Sequence, residues 1–232
     1  MFSTIEQIRG IVSHDIDSDF VKSVAIGTAW QYGSLFDNLA ETEGLTDAYR
    51  LEEFAKRRSL CAVNALVAAA RKHGVPFDFR RLPCNGQSKI LVKAGRVLLI
   101  QEPILTLDDS PRASEYKMDL ADIHGLIRQT EFDLGDQPFS IRDWSGCLLG
   151  VLLHGAAGPH FTRSDKRLGS LMLAVPDASY SQWVMRLDLL RLAMFGAEDV
   201  PAEVETTSPT TEEPATQRDD VVVTPRKKSE SA

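Results

Sequence analysis

The run AYRLEEFAKRRSLCAVNALVAAARKHGVP, residues 48–76, decides how the rest of the chain is read. Its apolar residues recur at helical spacing. Lys72 and His73 fall near the negative end of the helix dipole, Gly74 stands where a left-handed cap is needed, and Pro76 follows just beyond. The pattern predicts a long helix over 48–73. Upstream, Phe20, Val24, Gly27, Gln31, Leu35 and Leu39 mark a second helix over 19–40. Downstream, Ser88–Lys93 and Arg96–Gln101 read as two strands around an Ala94-Gly95 turn, and 119–130 as a helix. Cys147–His154 reads as a buried strand, and Ser170–Val175 as the next one after a loop. From Trp183 the apolar positions first alternate and then run together, a strand turning into a short helix. The expected class is α+β, with N-terminal helices, a central long helix, and a mixed or antiparallel sheet.

Composition breaks after Gly196. Residues 197–232 hold no aromatic side chain and are dominated by Ser, Thr, Pro, Glu and Asp, with Val221-Val222-Val223 as the sole apolar cluster. Such a segment cannot bury enough apolar surface to offset its ordering entropy. The sequence therefore predicts one globular α+β domain over 1–196 and a disordered acidic tail over 197–232. At 43% hydrophobic and 25% charged, the chain has an ordinary globular make-up. Three cysteines (Cys61, Cys84, Cys147) make an odd, sparse set better suited to a reducing cytosol than to a disulfide framework. The N-terminal residues lack the basic and apolar regions of a signal peptide. The charge-free run Trp144–Thr162 is broken by Gly146, Gly150, Gly155, Gly158 and Pro159, so no membrane span is expected. These features point to a cytoplasmic protein.

Charge is distributed unevenly. Residues 50–96 carry 11 basic and 3 acidic groups inside a chain of net charge −7. Arg50, Arg57, Asn64 and Arg71 are spaced by seven and so share one helix stripe. Arg80, Arg81, Lys89, Lys93 and Arg96 follow in the hairpin region. This surface could neutralise a phosphate backbone, which makes nucleic acid an alternative partner. Against that, Glu52 and Glu53 precede Lys56 and Arg57 by four residues, the favourable order for exposed helix pairs.

Several motifs carry no weight. Asp15, Asp17 and Asp19 open like a calcium loop, but Phe20 and Ile26 stand where Gly and Glu are required, leaving an acidic turn or helix cap. Glu115-Tyr116-Lys117 matches a nuclease-type triplet that chance alone supplies about once in a chain of this make-up. His154, His160 and Asp165 have ligand chemistry without ligand spacing, so neither metal nor cofactor is expected.

The sharpest reading concerns a thiol. Cys61 lies in Arg57-Arg58-Ser59-Leu60-Cys61-Ala62, where a positive dipole end and nearby guanidinium groups would acidify it. Later come Gly158-Pro159-His160-Phe161 and the strand ending Pro176-Asp177. The Cys, His, Asp order and these short segments resemble papain-like cysteine peptidases, in particular the double-glycine leader-peptidase branch, over about a third of the chain. The resemblance implies Cys61 as nucleophile, His160 as general base and Asp177 as its orienter, acting on a peptide or isopeptide bond. The sequence departs from that family at Ala62, where a Gly is usual, and at Ala55, near which an oxyanion Gln is usual. Three readings stand: a thiol-dependent acyl hydrolase or a catalytically degenerate relative with a peptide or protein substrate, a nucleic-acid-associated protein, and a non-enzymatic protein-interaction module.

Overall fold

The computed structural model describes residues 5–81, 86, 88–106, 109, 111–121 and 147–195. Cys84, most of the helix expected over 119–130, and the tail from 197 onward lie outside the described residues.

Three helices come first: α1 (Ile5–Asp15), α2 (Ser18–Glu41) and α3 (Asp47–His73). Asp17 caps α2, its carboxylate accepting the Asp19 N–H at 3.2 Å. That gives the acidic stretch its structural role. The Thr46 hydroxyl caps α3 by accepting the Tyr49 N–H at 3.4 Å. At the other end Gly74 takes φ 65°, and the Val75 N–H reaches back to the Ala70 carbonyl at 2.8 Å. A side chain at Gly74 would be strained in that left-handed conformation. The sequence did not mark α1; it buries only Ile8, Ile11 and Val12 and carries Gly10 in its middle.

α2 and α3 form a hairpin. A Cβ on Gly27 would sit 3.3 Å from the Ala65 Cβ, so the small residue sets how closely the two helices approach. The Tyr32 ring meets Phe54 edge-on with centroids 5.5 Å apart. The Arg50 guanidinium closes the connection by donating to the carbonyls of Leu39, Ala40 and Thr42 at 3.1, 3.3 and 3.2 Å.

The sheet contains β1 (Phe77–Arg81), β2 (Ser88–Ala94), β3 (Val97–Pro103), β4 (Leu148–Ala156), β5 (Leu168–Pro176) and β6 (Trp183–Asp188), in that spatial order. All neighbours are antiparallel except β3 and β4, which run parallel with Val97 opposite Leu148 and Pro103 opposite His154. The sheet is therefore mixed. A parallel pair needs a crossover, and here the crossover includes α4 (Glu115–Ala121). Helix α5 (Arg163–Lys166) occupies a stretch that reads as a turn, and α6 (Leu189–Phe195) follows β6 as expected. Strand β1 was not expected, because Phe77-Asp78-Phe79-Arg80-Arg81 is half charged and sits at the sheet edge.

Both faces of the central strands are apolar. Val92, Val97, Leu99, Leu148, Leu152, Leu171 and Leu173 pack toward α1, α2, α3 and α6, with Phe20, Val24, Leu66 and Ala70 above them. Leu98, Ile100, Leu149, Val151, Leu153, Met172 and Ala174 form the opposite face, where Leu120 and Ala121 of α4 lie with Tyr180 and Trp183. Burial on two faces explains why β4 reads as an unbroken apolar run rather than an alternation. Among the described residues no helix is long and apolar enough to cross a membrane.

One residue in β4 cannot be enlarged. A Cβ at Gly150 would lie 2.9 Å from the tips of both Leu99 and Leu173 and 3.0 Å from Val97. Gly150→Val is expected to destabilise by about 1–3 kcal/mol through overpacking, read as a lower urea midpoint with unchanged slope. An unchanged midpoint would show that Val97, Leu99 and Leu173 move aside without cost.

Candidate functional site

Among the described residues no hydrogen bond or ion pair joins any two of the three thiol-site candidates Cys61, His160 and Asp177, although Phe161 packs against the cluster that contains Cys61. Cys61 lies fourteen residues into α3, about 20 Å of helix from the N-terminus, too far for the dipole to act on it. Its buried thiol contacts the Gln31 carbonyl at 3.7 Å, and burial pushes it up to about 11. Among the described residues no hydrogen bond joins it to a histidine. His160 is exposed in the loop between β4 and β5, where its backbone N–H donates to Asp165 at 2.9 Å. Asp177 follows β5 at its far end, about 25–30 Å away along that nine-residue strand. It accepts from the Ser181 N–H at 2.6 Å, from the Ser179 and Ser181 hydroxyls at 2.7 Å each, and from the Gln182 N–H at 3.2 Å. Those bonds hold the β5–β6 turn, in which Tyr180 takes φ 56°, and they leave Asp177 no path to His160.

A different histidine occupies the polar centre. His154 closes the parallel β3–β4 ladder on the helix-covered face of β4 and is fully buried. The Tyr32 hydroxyl lies 2.6 Å from Nδ1, and the Gln101 Oε1 lies 2.8 Å from Nε2. One tautomer satisfies all three groups: Tyr32 donates to Nδ1, and the Nε2–H donates to Gln101. Burial, reinforced by the nearby charge of Arg58, lowers the imidazole to about 3, so the ring is neutral near pH 7. Arg58 donates to the Ile104 carbonyl at 3.0 Å. Lys166 is also buried, donating to the carbonyls of Gly158 and Pro159 at 2.8 and 3.1 Å with the Phe54 ring 5.7 Å away. On the opposite face Glu102 accepts from Lys117 at 2.8 Å and from the Tyr180 hydroxyl at 3.0 Å. The His154 ring and the Glu102 carboxylate are fully partnered, whereas the buried Nε of Arg58 has no hydrogen-bond partner among the described residues. His154, His160 and Asp165 do not converge, and among the described residues no cluster of three potential metal ligands exists.

The basic segment is largely committed inside the fold. Arg50 holds the α2–α3 connection, Arg57 pairs with Glu53 at 2.9 Å, and the Arg71 guanidinium lies 5.5 Å from the Phe77 ring centroid. Arg96 grips Asp15 at 2.7 Å, holding that carboxyl well below the usual carboxylate range. Lys93 lines a small cleft with Asp15 and Asp17. Arg80 and Lys89 face each other across the β1–β2 ladder, with Arg81 opposite Ser88. Of the eight cations, Arg50, Arg57, Arg71 and Arg96 are thus engaged with groups of the fold itself.

The outer face of the helix hairpin is a different kind of surface. Ile26 and Trp30, four residues apart on α2, are 69% and 67% exposed, and Leu60 on α3 is 59% exposed. Gly33 continues the α2 stripe, and a Cβ there would meet no atom within 4 Å, so the backbone beside Trp30 is open. Elsewhere on its surface α3 presents exposed Glu52, Lys56, Arg57, Arg71 and Lys72, with Lys56 paired to Glu52 at 2.6 Å and Arg57 to Glu53 at 2.9 Å. Sequence reading attended to the buried stripe of α2 and passed over Ile26 and Trp30. The available signal was two large apolar side chains lying off that stripe. Comparison of the chain with protein-family models, curated proteins and solved structures gives no match.

Two measurements check these assignments. Iodoacetamide at pH 7, mapped by mass spectrometry, is expected to modify Cys61 at least a hundredfold more slowly than an ordinary cysteine of pKa about 8.5. Equal or faster modification would restore the activated thiol. The His154 ring resonances are expected to stay flat from pH 8 to pH 5. Between about 6.5 and 3 the unfolded chain binds a proton at this position that the folded chain does not. Stability therefore rises with pH across that window and is lost as the pH falls through it. A His154 midpoint above 5 overturns the neutral assignment.

Proposed function

We propose that the protein is a non-enzymatic protein-interaction module, and that the outer face of the α2–α3 hairpin receives a partner segment. The observation that carries this reading is the exposed Ile26, Trp30 and Leu60 set on paired helices. Rimmed apolar patches of this kind mark interaction sites, and tryptophan is among the residues most enriched where binding energy concentrates. Lys56 and Arg57 on α3 are paired with Glu52 and Glu53 of their own helix, so what the face offers a partner is chiefly apolar contact. The buried, protonated thiol, the neutral histidine and the distance between His160 and Asp177 support this reading over the hydrolase. The engagement of Arg50, Arg57 and Arg96 with groups of the fold supports it over nucleic-acid binding.

The test is selection of displayed peptides on the intact chain. Enriched sequences should be rich in aliphatic or aromatic residues, and Trp30→Ala should weaken their binding at least tenfold. Because Trp30 is exposed, that substitution should change stability by no more than about 0.5 kcal/mol. Absence of enrichment, or binding indifferent to Trp30→Ala, overturns the reading.

A further inference from the structure

The carboxyl ends of the parallel strands β3 and β4 are where their two connections part. Past Pro103 the chain goes on to α4, on the Glu102 face of the sheet; past Ala156 it goes on to α5, which packs against α2 on the other face. In sheets with parallel pairing that parting point is the usual place for a ligand. Two cations meet there. Arg58 of α3 donates to the Ile104 carbonyl at 3.0 Å, and the Ile104 N–H donates in turn to the His154 carbonyl at 3.0 Å. Lys166 of α5 has its Nζ 5.7 Å from the centre of the Phe54 ring, one helical turn before Arg58.

Neither cation meets an acid. Every acceptor that the described residues give them is a backbone carbonyl: Ile104 for Arg58, and Gly158 and Pro159 for Lys166. The Asp165 carboxylate, next in sequence to Lys166, is engaged by the His160 N–H at 2.9 Å. Glu102 lies on the opposite face with Lys117 and Tyr180. His154 and Tyr32, within the field of Arg58, are both neutral near pH 7. Burial lowers the Lys166 ammonium, Asp165 opposes that in part, and the charge of Arg58 adds to it, so the two cations are near enough to repel. Like charges drawn together away from water without a counter-ion are costly.

We infer that Arg58 and Lys166 form a binding site for a phosphate group, separate from the docking face of the α2–α3 hairpin. A phosphate monoester brings a charge of about −1.5 to −2, which balances two cations where a single carboxylate would leave one unopposed. The donors also fit. Arg58 is tied by one Nη1 bond, and its buried Nε has no partner; Nε and Nη2 share the edge of the guanidinium that takes two phosphate oxygens as a fork. Lys166 commits two of its three N–H donors to carbonyls and keeps one for a third oxygen. Arg58 and Gln101 are half-buried, so the ligand enters from solvent beside α3 and turns the guanidinium about its single bond to uncover Nε.

The test titrates the intact chain with inorganic phosphate, methyl phosphate and acetate at pH 8 and constant ionic strength, and follows the histidine ring resonances. Both phosphates should shift the His154 ring saturably and leave His73, about 22 Å along α3 from Arg58, unmoved. Acetate should bind about tenfold more weakly. Tighter binding of methyl phosphate than of inorganic phosphate supports the phosphate of a larger molecule as the ligand, and the reverse order supports free phosphate. Arg58→Gln should weaken phosphate binding about tenfold, and Arg58→Lys, which keeps the charge and loses the fork, severalfold, both with the near-UV circular dichroism of the parent. The inference is overturned by a His154 ring that phosphate does not shift, by acetate binding as tightly as phosphate, or by unchanged phosphate affinity in both Arg58 variants. None of these readouts depends on Trp30, so failure here and failure of the docking face are told apart.

Discussion

Strand β4 is buried on both faces, and that constraint organises the molecule. It lies in the middle of the sheet between a parallel neighbour, β3, and an antiparallel one, β5, with helices α1, α2, α3 and α6 on one side and α4 with the β5–β6 turn on the other. A strand in that position tolerates polar side chains only where partners are supplied, and Gly150 leaves the space that Val97 and Leu99 of β3 and Leu173 of β5 fill. Because β3 and β4 run parallel, the chain must leave the sheet and return. The same pairing brings Gln101 and His154 to the same end of neighbouring strands, within reach of each other.

The buried polar groups at that end follow from the same constraint. His154 cannot be charged beneath α2 and α3, so Tyr32 and Gln101 take one ring nitrogen each and the neutral form persists. Glu102, one position away and so on the opposite face, keeps its charge because Lys117 and Tyr180 meet it there. An imidazole satisfied at both nitrogens has no lone pair left to take a proton from a thiol. Cys61 lies among Tyr32, Leu35, Leu39 and Phe54 and packs as a small apolar residue would.

With the interior closed in this way, the surface that remains distinctive is the back of the helix hairpin. α2 buries Phe20, Val24, Tyr32 and Leu35 against the sheet and still directs Ile26 and Trp30 outward. The packing accounts for the inward stripe and gives no use to the outward one. That pair is unusual on a helix whose other exposed positions are small or polar.

Much of the architecture was legible in local chemistry. The two long helices, the β2–β3 hairpin, and the strand that becomes a helix after Trp183 all follow from periodicity and capping residues, which depend on neighbours close in sequence. Strand β1 and helix α1 were not legible, because each is stabilised by distant partners: β1 by its ladder to β2, and α1 by the sheet beneath it and by the Asp15–Arg96 pair. The order Cys61, His160, Asp177 was also visible, but order in sequence carries no distance. Only the tertiary structure could place Cys61 in the middle of a helix and set a whole strand between His160 and Asp177. The sequence by itself determined which segments would be helix or strand, since that choice is made by nearest neighbours along the chain. The three-dimensional packing decided which polar residues meet and which apolar ones stay outside, since those depend on register between strands and on the angle at which helices cross them.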